Sequence, residues 1–252
     1  MHRLRPKGYK GVFRPKSRIH DKAEHERPLV DGCAIFYKAD KFRLHSQHLV
    51  EYITIPEVKP ELRSNPALVD RFKSKDNIAL LVLFESIKTS KKVLVVDTHL
   101  HWNPQFEDVK LVQTVHLMNM IEAFLGDQSG KIPILIGCDF NQMPYNGACE
   151  FIHNGKISGQ HRDFGNLDYG TPLAKYLHHG LDLKSAYSNI GEERPTNWTP
   201  NFKAVIDYIW YSKKLLEPLA LVAVPDLSGI KGLPNRSYPS DHVCLVAEFQ
   251  LK

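Results

Sequence analysis

The sequence has no run of about 18 or more apolar residues, so no membrane-spanning helix is expected. Its first residues, Met1-His2-Arg3-Leu4-Arg5-Pro6, lack the apolar stretch of a secretory signal, and nothing in them directs the chain out of the cell. Cysteine is scarce: Cys33, Cys138, Cys149 and Cys244 include no pair with the close spacing of a zinc site. Cys33, Cys138 and Cys244 sit in apolar runs, and the ordinary reading of all four is buried free thiols of a reducing compartment. A Gly-rich phosphate loop, an HExxH zinc motif and a Ser or Cys nucleophile beside a base are all missing. Internal repeats, low-complexity linkers and composition breaks are missing too, so residues 1–252 are expected to form a single domain.

What is present begins with an uneven charge. Net charge is +5, but the first 22 residues hold eight basic side chains (Arg3, Arg5, Lys7, Lys10, Arg14, Lys16, Arg18, Lys22) against Asp21 alone. A basic segment on a near-neutral body suits a polyanionic ligand held partly by counterion release; a solvated flexible end explains it equally well.

Apolar runs alternate with turn signals. Strands are expected at Asp31–Lys38, Leu44–Ile55, Ile78–Ile87, Val93–Leu100, Ile132–Cys138, Ala204–Tyr211, Ala220–Val224 and Val243–Gln250. From Gln105 to Leu125 the apolar residues Phe106, Val109, Val112, Val115, Met118, Ile121 and Phe124 recur at helical spacing. Glu107 and Asp108 fall in the first turn of that helix, where the dipole favours acids. Tyr145–His153 reads as a short helix, 56–76 as a loop with a short helix, and 154–180 as irregular. The pattern is that of a layered α/β or α+β domain.

Four polar clusters interrupt or end these strands: Asp97-Thr98-His99 after VLVV, Asp139-Phe140-Asn141 after ILIGC, Asp207 inside VIDYIWY, and Asp241-His242 opening the last strand. Each has a harmless explanation. An Asp after a strand is commonly a turn or cap residue, a lone His is commonly a satisfied core group, and Asp241 could form a turn after Pro239-Ser240. Asp207 on the face of Val205 and Ile209 is harder to dismiss, because a carboxylate there needs a partner. Four such clusters together point to a site. Asp and Asn oxygens suit Mg2+, and a His oriented by an Asp can contact or protonate a phosphoryl oxygen. Metal-assisted hydrolysis of a phosphate ester is the natural reaction class.

The stretches THLHW at 98–102, CDFNQMP at 138–144, VIDYIWYS at 205–212 and PSDH at 239–242 resemble the endonuclease/exonuclease/phosphatase superfamily in order and spacing, across nearly the whole chain. VDGCAIFYK at 30–38, KDNIALLVL at 75–83, HWNPQFEDVKLVQT at 101–114, LKSAYSNIG at 183–191 and FKAVIDYIWYS at 202–212 are similar to the catalytic domain of the carbon catabolite repressor deadenylases. The resemblance implies a DNase I-like fold, a two-layer β-sandwich flanked by helices. It implies a Mg2+-dependent 3′-to-5′ exoribonuclease, with Mn2+ as a substitute ion, that shortens mRNA poly(A) tails and releases AMP.

The resemblance also implies roles for matched positions. Asp139 and Asn141 position the attacking water and the scissile phosphate, and His242, oriented by Asp207, contacts the phosphate with His99. Asp241 lies near the metal, Pro104 and Phe202 flank the adenine, and Asn77 sits near the site. Base stacking of that kind contributes roughly 1–3 kcal/mol. The implied partners are single-stranded poly(A) RNA and subunits of the large deadenylation complex, in the cytoplasm and also the nucleus, with no membrane.

One departure stands out. Arg5–Lys16 aligns with the segment just after the family's Mg2+-binding Glu, so that Glu and the Asn-bearing strand before it have no counterpart here. Glu24 and Glu26 lie in a polar segment that reads as a surface loop and do not replace it. The leucine-rich repeats that usually precede the nuclease have no counterpart either. The chain is expected to be N-terminally incomplete, to lack the first strands of one sheet, and to have weak or no metal-dependent activity.

Overall fold

Strands β1 (Tyr9–Pro15) and β2 (Gly32–Lys38) open the fold as an antiparallel pair with Val12 opposite Ile35. The computed structural model describes residues 3–58, 65–165, 167, 177–189 and 194–252. Parts of the 56–76 and 154–180 stretches, and the end of LKSAYSNIG, lie outside them.

Next come β3 (Phe42–Glu51), α1 (Ile55–Val58), α2 (Pro66–Phe72), β4 (Ile78–Ser86), β5 (Lys92–His99), α3 (Glu107–Leu125), β6 (Ile134–Asp139) and α4 (Gly147–Asn154). The later strands are β7 (Lys156–Ile157), β8 (Leu177–His178), β9 (Leu183–Ser185), β10 (Asn197–Trp198), β11 (Lys203–Ala204), β12 (Asp207–Ser212), β13 (Leu216–Leu221) and β14 (Ala247–Leu251). Pro66 at the first helical position, and Asn65 accepting from the Ala67 and Leu68 amides, start α2.

A mixed six-stranded sheet in the order β3-β4-β5-β6-β12-β9 forms the centre. Its one parallel pair is β5 and β6, a pairing that needs a long crossover, and α3 supplies it. One face of the sheet packs Leu81, Leu94, Val96, Ile134 and Ile136 against Val112, Met118 and Ile121 of α3 and Phe151 of α4. On the opposite face, Leu80, Val82 and Phe84 meet Val12, Cys33 and Ile35 of the β1–β2 pair. Coverage on both faces explains why β4 is apolar from Ile78 to Phe84 without alternation. Farther along the same face, the β13–β14 pair packs on Leu135, Ile209 and Tyr211. The second layer is therefore two separate hairpin-like pairs, β1–β2 and β13–β14, rather than one continuous sheet. Among the described residues no helix is long and apolar enough to cross a membrane.

Several expected boundaries move. β3 ends at Glu51 instead of Ile55, because a 3-10 turn at Tyr52–Thr54 leads into α1, where Pro56 supplies no strand donor. Tyr9–Pro15, read only as a basic segment, pairs as a strand. The expected strand at 204–211 splits, since Lys203 and Ala204 turn back onto Trp198 and Asn197 and β12 starts only at Asp207. Asp207 thus opens a strand instead of interrupting one. β13 begins at Leu216, and β14 at Ala247, so Asp241-His242 lie outside the last strand, where His242 makes an isolated bridge to Asn197. Cys244 is exposed, unlike the other three thiols. Part of the basic segment is also neutralised: Lys16 pairs with Asp31 at 2.7 Å, and Arg18 bridges Asp31 and Asp76.

Candidate active site

Because β5 and β6 run parallel, their C-terminal ends share one edge of the sheet, and His99 stands opposite Asp139. β12 runs antiparallel to β6, so its first residue, Asp207, also stands opposite Asp139. The 241–242 segment, tied to β10 by its bridge, brings His242 to the same edge. Three chain connections thus converge at the carboxyl end of a parallel pair, a common location for sites in α/β sheets.

The contacts are close. His242 Nδ1 lies 3.0 and 2.9 Å from the two Asp207 oxygens, and its Nε2 lies 3.9 Å from Asp139 Oδ2. His99 Nε2 is 3.4 Å from the same Asp139 oxygen. Thr196 holds Asp207 from behind: its hydroxyl donates to Asp207 Oδ2 at 2.6 Å and accepts from the Ile206 and Asp207 amides. That uses the full capacity of one hydroxyl.

Electrostatics separate the groups. The hydrogen bond to Asp207, against an opposing burial effect, raises His242 to about 9, so the ring carries both protons at neutral pH. Nδ1–H then donates to Asp207, and Nε2–H faces the Asp139 side. Burial, reinforced by the Asp207 charge, raises Asp139 to about 6, while His242 and the Asn141 amide pull it down. Burial, with Lys16 as a second cause, lowers His99. A cationic His242 beside a more neutral His99 suits contact with an anionic phosphoryl group.

Ligand atoms of Asp139, Asp207 and His242 all lie within 4.8 Å of one another. Asp207 is engaged by His242 and Thr196, and His242 Nδ1 is engaged by Asp207. Asp139 offers a hard oxygen that suits a divalent cation, and the Asp241 charge acts on its carboxyl group. Asp241 is lightly held, with Asn197 Nδ2 3.5 Å from its Oδ2. Among the described residues no Glu joins the cluster. Glu26 instead caps the Ala23 amide beside Lys22, and Glu24 is exposed.

The turn after β6 carries the next part. Asn141 has φ 49°, a left-handed conformation that Asn tolerates, and its amide donates to Asp139 Oδ1 at 2.9 Å. Its side-chain amide donates to the Leu100 carbonyl at 3.3 Å, and its own carbonyl accepts from Lys110 at 3.0 Å. Beside it opens a cavity of about 310 Å³ lined by Trp102, Pro104, Asn141, Met143, Phe202 and Glu107, among others. Pro104, Phe202 and Asn141 thus line one cavity. Asn77 does not reach it: it is buried behind the site and donates to the His99 carbonyl at 3.0 Å.

Residue-by-residue reading missed Thr196, Glu107 and Lys110. Thr196 lies between LKSAYSNIG and FKAVIDYIWYS and belongs to neither stretch. Glu107 was visible only as a dipole-favoured acid, and Lys110 only as a polar helix position. The three-residue spacing of Glu107 and Lys110 was the one available signal for their pairing.

Comparison with known proteins agrees with this architecture. A model described as the Endonuclease/Exonuclease/phosphatase family matches residues 3–242. The chain is 40% identical over 271 residues to the CCR4-Not complex 3′-5′-exoribonuclease subunit Ccr4 of Schizosaccharomyces pombe, covering 98% of this chain and 39% of that protein. It is 38% identical over 276 residues to the protein of the same name from Mycosarcoma maydis, covering 100% and 41% respectively. The chain thus spans about two-fifths of the length of these relatives. Among solved structures, ANGEL2, described as a 2′,3′-cyclic phosphatase, superposes with a TM-score of 0.77 at 26% identity, covering 98% of this chain and 76% of that one. The human Nocturnin catalytic domain gives 0.70 at 23% identity, covering 100% and 75%, a likeness of fold.

Proposed function

Because this chain belongs to the endonuclease/exonuclease/phosphatase family, we propose that it is the nuclease portion of a Mg2+-dependent 3′-to-5′ exoribonuclease that shortens mRNA poly(A) tails by hydrolysing phosphodiester bonds and releasing AMP. The observation that carries the reading is one of continuity. Asn141 belongs both to the Asp139 turn and to the cavity walled by Pro104 and Phe202, so a base in that cavity would bring its phosphate toward His242 and His99.

In this reading Asp139 and Asp241 hold the cation, which supplies positive charge to the phosphate oxygens. His242, kept cationic and oriented by Asp207, donates to a phosphoryl oxygen. Asn141 and Asp139 position the phosphate and the attacking water, and His99 supplies a second phosphate contact. The relatives are named as subunits of the CCR4-Not complex, which supports that assembly as the setting for the full protein, in the cytoplasm and nucleus. With no Glu in the cluster among the described residues, this chain by itself is expected to be a weak enzyme.

The test is shortening of 5′-labelled oligo(A) in Mg2+ with AMP as the released product, and oligo(U) and abasic duplex DNA as comparisons. A slow, oligo(A)-preferring activity is expected to fall by roughly 100-fold or more in Asp139→Ala and in His242→Ala. Equal turnover of oligo(U), or activity indifferent to both substitutions, would sink the assignment. That no Glu among the described residues joins the cluster favours a second reading, a non-enzymatic RNA-binding remnant. Oligo(A) binding that survives both substitutions, without AMP release by the parent chain, would select it.

A further inference from the structure

Glu107 occupies a position that the reaction itself does not use. It begins α3 and lines the same cavity as Pro104 and Phe202, with 27% of its side chain exposed. Its carboxylate is held by three donors. Lys110 Nζ, itself almost fully buried, lies 2.8 Å from Oε1, while Asn146 Nδ2 at 3.1 Å and Gln142 Nε2 both donate to Oε2. A carboxylate only accepts, so both amides must turn their NH2 groups toward it. It offers about four lone-pair positions. Oε2 has two donors and Oε1 has one, so the remaining acceptor capacity belongs to Oε1, on a side chain that lines the cavity.

We infer that Glu107 is the base-selecting residue of this site, its Oε1 accepting a hydrogen bond from the exocyclic amine of an adenine placed between Pro104 and Phe202. The inference rests on the nucleotide-binding reading above and adds the source of its base preference. Adenine and cytosine present an amine at the corresponding edge, whereas guanine and uracil present a carbonyl oxygen, which a carboxylate repels. The apolar surfaces of Pro104 and Phe202 favour the larger stacking surface of a purine. Amine plus purine leaves adenine. Lys110, Gln142 and Asn146 fix the carboxylate before the base arrives, so no reorganisation is needed on binding.

The experiment titrates the chain in Mg2+ with three mononucleotides that differ only at the base edge: AMP, purine riboside 5′-monophosphate and IMP. Fluorescence of Trp102, which is 68% exposed and lines the cavity, is one readout, and calorimetry is the other. AMP should bind about tenfold or more tighter than IMP, with the unsubstituted purine between them. Glu107→Gln, whose amide can turn a donor toward a carbonyl, should compress the AMP-to-IMP ratio to about threefold or less. An unchanged ratio in that variant overturns the inference. Equal binding of all three nucleotides by the parent chain also overturns it, even if the variant does not fold, while leaving the nucleotide site standing. Binding of none of the three removes the nucleotide-binding reading and this inference with it.

Discussion

Asp97 shows how a single carboxylate can serve the fold while sitting in a run that signals a site. It stands on the sheet face covered by the β1–β2 pair, and its Oδ2 accepts from the Ala34 amide of β2 at 2.7 Å. Burial pushes it up to about 6, against the Ala34 amide and the Cys33 thiol, which pull it down. A folded-state value above the ordinary one means that the folded protein holds this proton more tightly than the unfolded chain. The stability linked to it is fully present below about pH 4 and lost as pH rises through about 6. Asp97→Asn keeps an acceptor for Ala34 and never ionises. It should stabilise the protein by about 3 kcal/mol at pH 7.5 and by well under 1 kcal/mol at pH 4. Urea unfolding at the two pH values checks this, and an equal gain at both would show that the ionisation is irrelevant.

At the scale of elements, α3 illustrates what a sequence reveals and what it conceals. The helical spacing of Val109, Val112, Met118 and Ile121 identified it within two residues. Its polar positions were less readable. Lys110, Gln113, Thr114 and His116 are buried too, because the helix lies between the sheet on one side and α4 and the turn after β6 on others. A one-dimensional pattern marks the apolar stripe, but it cannot tell whether the opposite face meets water or protein. The same limit separates Asp139, conspicuous after an apolar run, and Asp207, conspicuous inside one, from Thr196 and Glu107, whose importance comes from what the chain brings beside them. Lys110 joins α3 to the turn after β6 through Glu107 and the Asn141 carbonyl. Lys110→Met should lower stability by about 2 kcal/mol, the cost typical of losing charge-assisted hydrogen bonds. In a Glu107→Gln background the same substitution should cost less than half as much. A double-mutant cycle from thermal or urea unfolding measures this, and strict additivity would mean that the two side chains act independently.

On the scale of the whole molecule, the decisive feature is the interrupted second layer. Among the described residues, two separate strand pairs lie over one face of the six-stranded sheet. Among the described residues β2 pairs only with β1, and β14 only with β13, so each pair keeps an unpaired edge. Where the coverage thins, Val93, Val95, Leu135 and Ile209 are only partly buried, and a groove of about 310 Å³ opens beside Val95 and Leu135. A side chain built at Gly137, on the same face, would meet nothing within 4 Å. Apolar surface next to unpaired strand edges is the combination that drives chains together. The chain should therefore self-associate as its concentration rises, over roughly the micromolar range in which exposed strand edges cause association. Leu135→Lys places a charge on this face at a half-buried position, so it should suppress association and dye binding to the exposed apolar surface, with melting lowered by only a few degrees. Sedimentation of parent and variant over a concentration series decides the matter. A parent chain that stays monomeric throughout, or a variant that associates equally, would mean that the split between the two strand pairs leaves no sticky surface behind.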